Sequence, residues 1–118
     1  AVLTRGDQVL ALRRAEGGLF GGLWEPPMVE AASLVEAREQ LRHLGIGAAL
    51  TLAEVGRIKH VLTHRELRVC VASGTLAARA ALPSSLVAPY EKARWIDPAD
   101  TTVGVSTLAR KILALATK

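Results

Sequence analysis

The sequence has few aromatic residues and almost no cysteine, and both shortages restrict how the fold can be built. Only 3% of the 118 residues are aromatic although half are hydrophobic, so Leu, Val, Ile and Ala have to fill the core. Cys70 is the only cysteine, which excludes an internal disulfide and a metal site held by several thiolates. Because Cys70 lies in the apolar stretch 67–72, we expect a buried, structural thiol rather than a reactive one.

The chain also lacks a hydrophobic run close to the ~20 residues that span a bilayer, and its start lacks a charged and then apolar leader. We therefore expect a soluble, intracellular protein that does not bind membranes. The first residue is Ala1 rather than Met, which indicates a piece of a longer protein. The net charge of +4 suits a polyanionic partner, but it is also ordinary for a soluble domain and decides nothing alone.

Two helices are marked by their capping residues. Ser33 followed by Glu36 forms a capping box, which predicts a helix that ends near Leu44, before Gly45. Ser106 predicts the start of a second helix, whose apolar residues recur on one face.

Alternating apolar residues predict strands over 8–14, 51–62, 66–73 and 90–96. Only residues 63–65 separate the second strand from the third, so an antiparallel hairpin is expected there. Residues 74–89 are rich in Ala, Ser and Pro and predict a connecting loop. Together the elements indicate a single mixed α/β (α+β) domain over 1–118, with helices packed on a sheet.

The segment 24–46 resembles a Nudix box, in which the acidic residues of one helix face bind a divalent cation. Aligning the final glycine of the box on Gly45 brings five residues into register, which are Glu30, Arg38, Glu39, Gly45 and Ile46. The box requires two consecutive glutamates before this glycine, and the sequence has Arg42 and His43 in their place.

These replacements remove the charge that a divalent cation requires. A hard cation needs several oxygen ligands, and Arg42 would repel it. We therefore expect Glu39 to pair with Arg42 or His43 on a solvated helix face, and we expect no metal-dependent hydrolysis. The alternative is an active Nudix pyrophosphohydrolase that acts on an oxidised nucleoside triphosphate.

Three stretches in the same order resemble the C-terminal domain of MutY-type adenine DNA glycosylases. They are Leu12-Arg13-Arg14 leading into the Gly-Leu-Phe-Gly-Gly-Leu-Trp-Glu-Pro run of 18–26, the His-Val-Leu-Thr-His run of 60–64, and Trp95-Ile96 followed by 106–113. Together they span nearly the whole chain. Pro26 and Leu62 differ from that family, which usually has aromatic residues at these positions.

The resemblance implies a Nudix-like, non-catalytic domain that helps recognise 8-oxoguanine opposite the adenine to be excised. In this family, excision belongs to an N-terminal helical domain with an iron–sulfur cluster, so no cofactor is expected in this chain. The implied partners are double-stranded DNA containing an 8-oxoguanine:adenine pair and the N-terminal catalytic domain of the same protein. The implied location is the bacterial cytoplasm, at the nucleoid.

The resemblance also places DNA contacts at the hairpin tip. Leu62 would wedge beside the lesion, and the Thr63 hydroxyl, which both donates and accepts, would bond the altered edge of the base. The expected DNA and lesion contacts are Lys59, His60, Leu62, Thr63, His64, Arg65 and Arg68. The alternatives are a solvated hairpin tip and a protein-docking module that uses residues 74–89.

The remaining glycines and aromatic residues are assigned structural roles. The glycine-rich turn of 17–22 lacks the Lys-Ser/Thr of a phosphate-binding loop, so it is interpreted as a close-packed turn. Trp24 and Trp95 are expected to be core anchors, because the chain has few other rings to fill its interior.

Overall fold

The computed structural model describes residues 1–46, 51–100 and 102–117, which form six strands and two helices. In chain order these elements are β1 (Val2–Arg5), β2 (Gln8–Arg14), β3 (Trp24–Glu25), α1 (Leu34–His43), β4 (Ala53–Leu62), β5 (Arg65–Thr75), β6 (Tyr90–Ile96) and α2 (Thr107–Ala116). The expected mixed sheet with two helices packed on it is confirmed.

Strand β2 lies at the centre of the sheet. β6 pairs along one edge of β2, while β1 and β3 pair one after the other along its opposite edge. β1 was not among the strands predicted from sequence. It pairs parallel with β5, and β5 pairs antiparallel with β4. The β4–β5 hairpin therefore forms one side of the sheet, with β4 outermost among the described strands.

The side chains of β2 alternate between two hydrophobic clusters on opposite faces of the sheet, as a strand's period of two requires. Val9 and Ala11 belong to the cluster that contains the buried residues of α2. Leu10 and Leu12 belong to the cluster that contains Leu41 of α1. The chain is thus a three-layer arrangement in which α2 covers one face of the sheet and α1 covers part of the other.

Both helices begin at the residues predicted to cap them. The Ser33 hydroxyl accepts from the amide of Glu36 at 3.2 Å, but the Glu36 carboxylate accepts from Ala32 rather than from Ser33 as a regular capping box would. The Ser106 hydroxyl accepts from the amide of Ala109 at 3.0 Å. Of the described helices, none is long and apolar enough to cross a bilayer.

The predicted hairpin is confirmed, but its turn is shorter than expected. Leu62 pairs with Arg65, so the turn is the two residues Thr63 and His64, and β5 starts one residue earlier and ends two residues later than predicted. The connecting loop is correspondingly shortened to 76–89. The docking role suggested for residues 74–89 stays a prediction.

The expectation of a buried Cys70 is wrong. The alternation of β5 turns Val69 and Val71 towards α2, and it therefore turns Cys70 to the opposite face, where its side chain is exposed. The thiol donates to Glu54 Oε1, with 3.1 Å between the sulfur and the oxygen. Partial desolvation and this carboxylate raise the pKa of the Cys70 thiol, so it stays protonated and unreactive near neutral pH.

The two tryptophans pack at the borders of the core rather than at its centre. Both are half-buried, and an arginine lies over each ring. The guanidinium carbon of Arg5 is 3.9 Å from the ring centroid of Trp95, and that of Arg94 is 5.4 Å from the ring centroid of Trp24. Their predicted role as core anchors is therefore only partly correct, because both rings stay partly exposed with an arginine over each of them.

Candidate nucleic-acid interface

The end of the β4–β5 hairpin projects three exposed polar residues. Thr63, His64 and Arg65 are all exposed, and they follow one another across the two-residue turn and the start of β5. A short turn between two long paired strands holds these side chains at the end of a rigid ribbon. The three residues that were predicted to lie at the tip are therefore accessible to a partner.

Leu62 and His60 point to the face of the hairpin that α2 covers. Leu62 is half-buried, and the neighbouring Val61, on the opposite face, is 68% exposed. Val61 is therefore the most exposed apolar side chain next to the turn, a residue that sequence reasoning missed. The alternation of β4 alone would have identified the two faces, but it could not show which of them α2 covers.

His60 lies between two side chains from other parts of the chain. Its ring lies 6.5 Å, centroid to centroid, from that of Phe20, and its Nδ1 lies 3.4 Å from Nζ of Lys111. A lysine ammonium can only donate, so Nδ1 of His60 is the acceptor in this contact. His60 is therefore held beside the tip by Phe20 and Lys111, and its phosphate contact stays a prediction.

Lys59 and Arg68 lie directly opposite each other on the other face of the hairpin. Both contact the Glu66 carboxylate, at 3.6 Å from Lys59 Nζ and 3.0 Å from Arg68 Nε. These ion pairs are largely solvated and such pairs are worth only about 0 to 1 kcal/mol, so a phosphate can compete for the cations. The seven predicted residues are thus close together along the chain but are divided between the two faces and the tip.

The glycine-rich turn of 17–22 positions the aromatic ring that touches His60. Its amides bond within the turn and to β2, as Gly21 donates to Gly18 and Gly22 donates to Arg14. A side chain on Gly21 would meet three backbone atoms at 3.0 Å, which accounts for glycine there. Phe20 itself has φ +58, a conformation that is uncommon for a large residue. The interpretation as a close-packed turn is confirmed.

A buried carboxylate joins this turn to the rest of the sheet. Glu25 of β3 is 1% exposed, and its two oxygens accept from Arg14 Nε at 2.8 Å and from the Tyr90 hydroxyl at 2.6 Å. Tyr90 in turn accepts from the amide of Met28 at 2.9 Å. Burial and the Glu25 carboxylate raise the pKa of Tyr90, so the phenol stays protonated and remains a donor.

On the helix face that corresponds to the Nudix box, Glu39 contacts an arginine and a histidine. Glu39 Oε2 is 2.9 Å from Arg42 and Glu39 Oε1 is 3.6 Å from His43, so the predicted pairing is confirmed with both partners. Within 1–46, 51–100 and 102–117, no three His, Cys, Asp or Glu side chains converge in a way that could hold a metal ion.

Comparison with known proteins agrees with both resemblances seen in the sequence. The family model described as NUDIX domain matches residues 1–115. The adenine DNA glycosylase of Homo sapiens is 32% identical over 114 residues, which are 91% of this chain and 20% of that protein. The chain therefore spans about a fifth of the length of this curated relative.

Solved structures show the same fold. The C-terminal domain of mouse MUTYH, solved in complex with human PCNA, has a TM-score of 0.67 and 25% identity over 93% of this chain and 75% of that chain. The NUDIX domain of Shewanella oneidensis NrtR, solved with ADP ribose, has a TM-score of 0.72 over 98% of this chain and 82% of that chain. At 15% identity it supports the fold alone. The chain belongs to the NUDIX domain family, and its similarity to the C-terminal domain of adenine DNA glycosylases is confirmed.

Proposed function

We propose that the chain is the DNA-repair recognition domain of an adenine DNA glycosylase, which helps recognise 8-oxoguanine opposite the adenine to be excised. The observation that carries the proposal is the exposed Thr63-His64 turn at the end of the hairpin, in a chain similar to such glycosylases over nearly its whole length. Excision itself, and the iron–sulfur cluster, then belong to an N-terminal catalytic domain that acts with this one at the bacterial nucleoid.

The chemistry of the turn suits an oxidised purine. 8-Oxoguanine differs from guanine by an N–H where guanine has an acceptor and by an added carbonyl oxygen. The Thr63 hydroxyl can accept from the first or donate to the second, and it is exposed at the turn. His64 and Arg65 follow it and are exposed, so they can contact the phosphates on either side of the lesion.

The exposed Val61 changes the expected division of roles at the tip. Leu62 was expected to wedge into the base stack, but it is half-buried on the covered face, whereas Val61 presents an exposed apolar surface. Apolar side chains that enter a base stack have to be accessible. We propose that Val61 and the end of Leu62 together provide the apolar contact.

Replacing Thr63 with alanine is expected to lower the preference for an 8-oxoguanine:adenine duplex over a guanine:adenine duplex by about fivefold. This corresponds to the loss of one hydrogen bond of about 1 kcal/mol. The measurement is the ratio of the two dissociation constants of the 118-residue chain, obtained by fluorescence anisotropy at low salt. Thr75→Ala, an exposed threonine at the far end of β5, is the matched control and should leave the ratio unchanged. An equal loss on both duplexes would contradict a role in reading the lesion.

We also propose that the chain has no pyrophosphohydrolase activity of its own. The support is the pairing of Glu39 with Arg42 and His43, which occupies the carboxylate that a Nudix box uses for a cation. Incubation with Mg²⁺ and 8-oxo-dGTP should release no more pyrophosphate than buffer, while an active Nudix hydrolase assayed alongside releases it. Turnover that disappears in Glu39→Gln but persists in Glu16→Gln would establish the alternative function.

A further inference from the structure

The outer half of the β4–β5 hairpin extends beyond the rest of the sheet as a two-stranded ribbon. β1 pairs with β5 only over residues 73–75, while β4 pairs with β5 as far as Leu62 and Arg65 at the turn. In the described part of the chain, residues 65–72 of β5 therefore pair with β4 alone. A ribbon of two strands is only marginally stable by itself in water. The position of the turn at its end therefore depends on the side chains that pack against the ribbon.

Side chains from two other parts of the chain support the covered face of this ribbon. The ribbon residues that pack against the hydrophobic cluster of α2 are Ile58, Leu67 and Val69. Nearer the turn, His60 contacts both the ring of Phe20 and the ammonium of Lys111. His60 precedes Thr63 by three residues, which is about 10 Å of strand at about 3.3 Å per residue. The contacts of His60 are therefore well placed to fix the turn.

Phe20 is held in a backbone conformation that a phenylalanine rarely adopts. Its φ is +58, and it is the only non-glycine residue with a positive φ in the regions that the structure describes. Two backbone hydrogen bonds tie the glycine-rich turn to β2, because the amide of Gly22 donates to Arg14 and the amide of Arg14 donates to Leu23. Residues in such conformations persist only where the surrounding structure fixes them. The ring of Phe20 is therefore presented from a turn that is anchored on the central strand.

The ring of Phe20 connects this anchored turn to the hairpin. The ring centroids of Phe20 and His60 are 6.5 Å apart with 53° between the ring planes, which is within the range of favourable aromatic pairs. Phe20 also packs against the hydrophobic cluster of α2. A glycine would adopt the same φ without strain, so the contacts of the ring account for a phenylalanine here. Resting on the proposed function, we propose that Phe20 is a positioning residue, which holds His60 and thereby places the Thr63 hydroxyl against the oxidised base.

The first test is a double-mutant cycle on the 118-residue chain, measured by fluorescence anisotropy at low salt. Phe20→Ala should lower the preference for an 8-oxoguanine:adenine duplex over a guanine:adenine duplex by about fivefold, as much as Thr63→Ala does. Its affinity for the guanine:adenine duplex should stay unchanged. The variant that carries both changes should lose no more preference than either change alone, because Phe20 acts through Thr63. A loss of packing that is unrelated to Thr63 would instead add to the effect of Thr63→Ala.

Three further variants separate the ring from the backbone strain and from the rest of the turn. Phe20→Tyr keeps the ring and should retain the preference. Phe20→Gly removes both the ring and the strain, and it should lose as much preference as Phe20→Ala. The matched control is Leu19→Ala, because Leu19 lies in the same turn and is 43% exposed, and it should change nothing. Thermal unfolding of each variant, followed by circular dichroism, shows which variants are folded in the binding assay.

The second test reads the position of the turn in the absence of DNA. The backbone amide chemical shifts of Thr63 and His64, measured by NMR, should change in Phe20→Ala and in Phe20→Gly. They should stay unchanged in Phe20→Tyr and in Leu19→Ala. Because these amides are remote from Phe20 in the sequence, such a change reports that the hairpin has moved relative to the glycine-rich turn.

The outcomes separate this proposal from the proposed function. An unchanged preference in Phe20→Ala, additive losses in the double variant, or an equal loss in Leu19→Ala would each overturn the positioning role. Unfolding of both Phe20→Ala and Phe20→Gly would make Phe20 a residue of the core and would also overturn it. An original chain without a preference for 8-oxoguanine would refute the proposed function. The amide shifts would then decide the positioning role alone, and unchanged shifts in Phe20→Ala would overturn that as well.

Discussion

Replacing Glu25 with alanine is expected to lower the free energy of unfolding by about 3 to 5 kcal/mol, the cost of removing one partner from a buried ion pair. The change would leave the Arg14 guanidinium, which is only 20% exposed, without its carboxylate. It would also remove the carboxylate that accepts from the buried Tyr90 hydroxyl at 2.6 Å, and would leave that hydroxyl only the Met28 carbonyl, at 3.4 Å. Urea denaturation followed by circular dichroism measures the loss.

The matched control for this prediction is Glu16→Ala. Glu16 also pairs with an arginine, Arg13, at 3.5 Å, but its side chain is 81% exposed. Exposed pairs contribute about 0 to 1 kcal/mol, so the control should change stability by less than about 1 kcal/mol. Glu25→Gln should fall between the two, because the amide can still accept one bond while the charge is lost. A Glu25→Ala loss no larger than that of Glu16→Ala would show that the buried network contributes little.

This network also explains why the segment 24–26 of the sequence has a charged residue between apolar ones. Glu25 joins β2, through Arg14, to the start of β6, through Tyr90. These segments are brought together only by the sheet, because Glu25 and Tyr90 are 65 positions apart. The sequence shows a glutamate next to two prolines, but nothing in it identifies the partners. A buried charge can be recognised from sequence only when its partner is nearby.

The parts of the fold that were predicted correctly depend on short-range signals. The helix starts follow from capping at Ser33 and Ser106, and the hairpin follows from two alternating runs separated by a few polar residues. β1 was missed because it is only four residues long, although the two-residue turn of Gly6 and Asp7 pairs it with β2. Its second partner, β5, lies about 70 residues away and leaves no mark on so short a segment.

The sequence left two features of the candidate site open. A period of two shows which residues share a face, but it does not show which face is covered by a helix, so it could not show that Phe20 and Lys111 flank His60. The burial expected for Cys70 has another source, the apolar stretch 67–72, and the alternation within that stretch turns the thiol to the exposed face. Lys111 itself gave no signal, since a lysine in a C-terminal helix is ordinary until the helix is placed against β4.

The second large effect on stability is expected for Leu108→Ala, in the helix α2. Leu108 is 0% exposed and belongs to the cluster that α2 forms with Val9 and Val71 of the sheet. Truncation of a fully buried leucine leaves a cavity and typically costs about 2 to 5 kcal/mol. Because α2 is packed on β4 and β5, we expect the hairpin to lose rigidity as well as the domain to lose stability.

The size-matched comparison is Leu108→Met, which keeps most of the volume and should cost less than about 1.5 kcal/mol. Val35→Ala, at a side chain that is 77% exposed on α1, should change stability by less than about 0.5 kcal/mol. Urea denaturation measures all three variants, and hydrogen exchange of the β4–β5 amides measures the hairpin. Faster exchange in the hairpin of Leu108→Ala than in that of Leu108→Met would show that α2 supports the strands that carry the turn. Equal exchange in the two variants would contradict this coupling, because the hairpin would then keep its order without a filled core beneath α2.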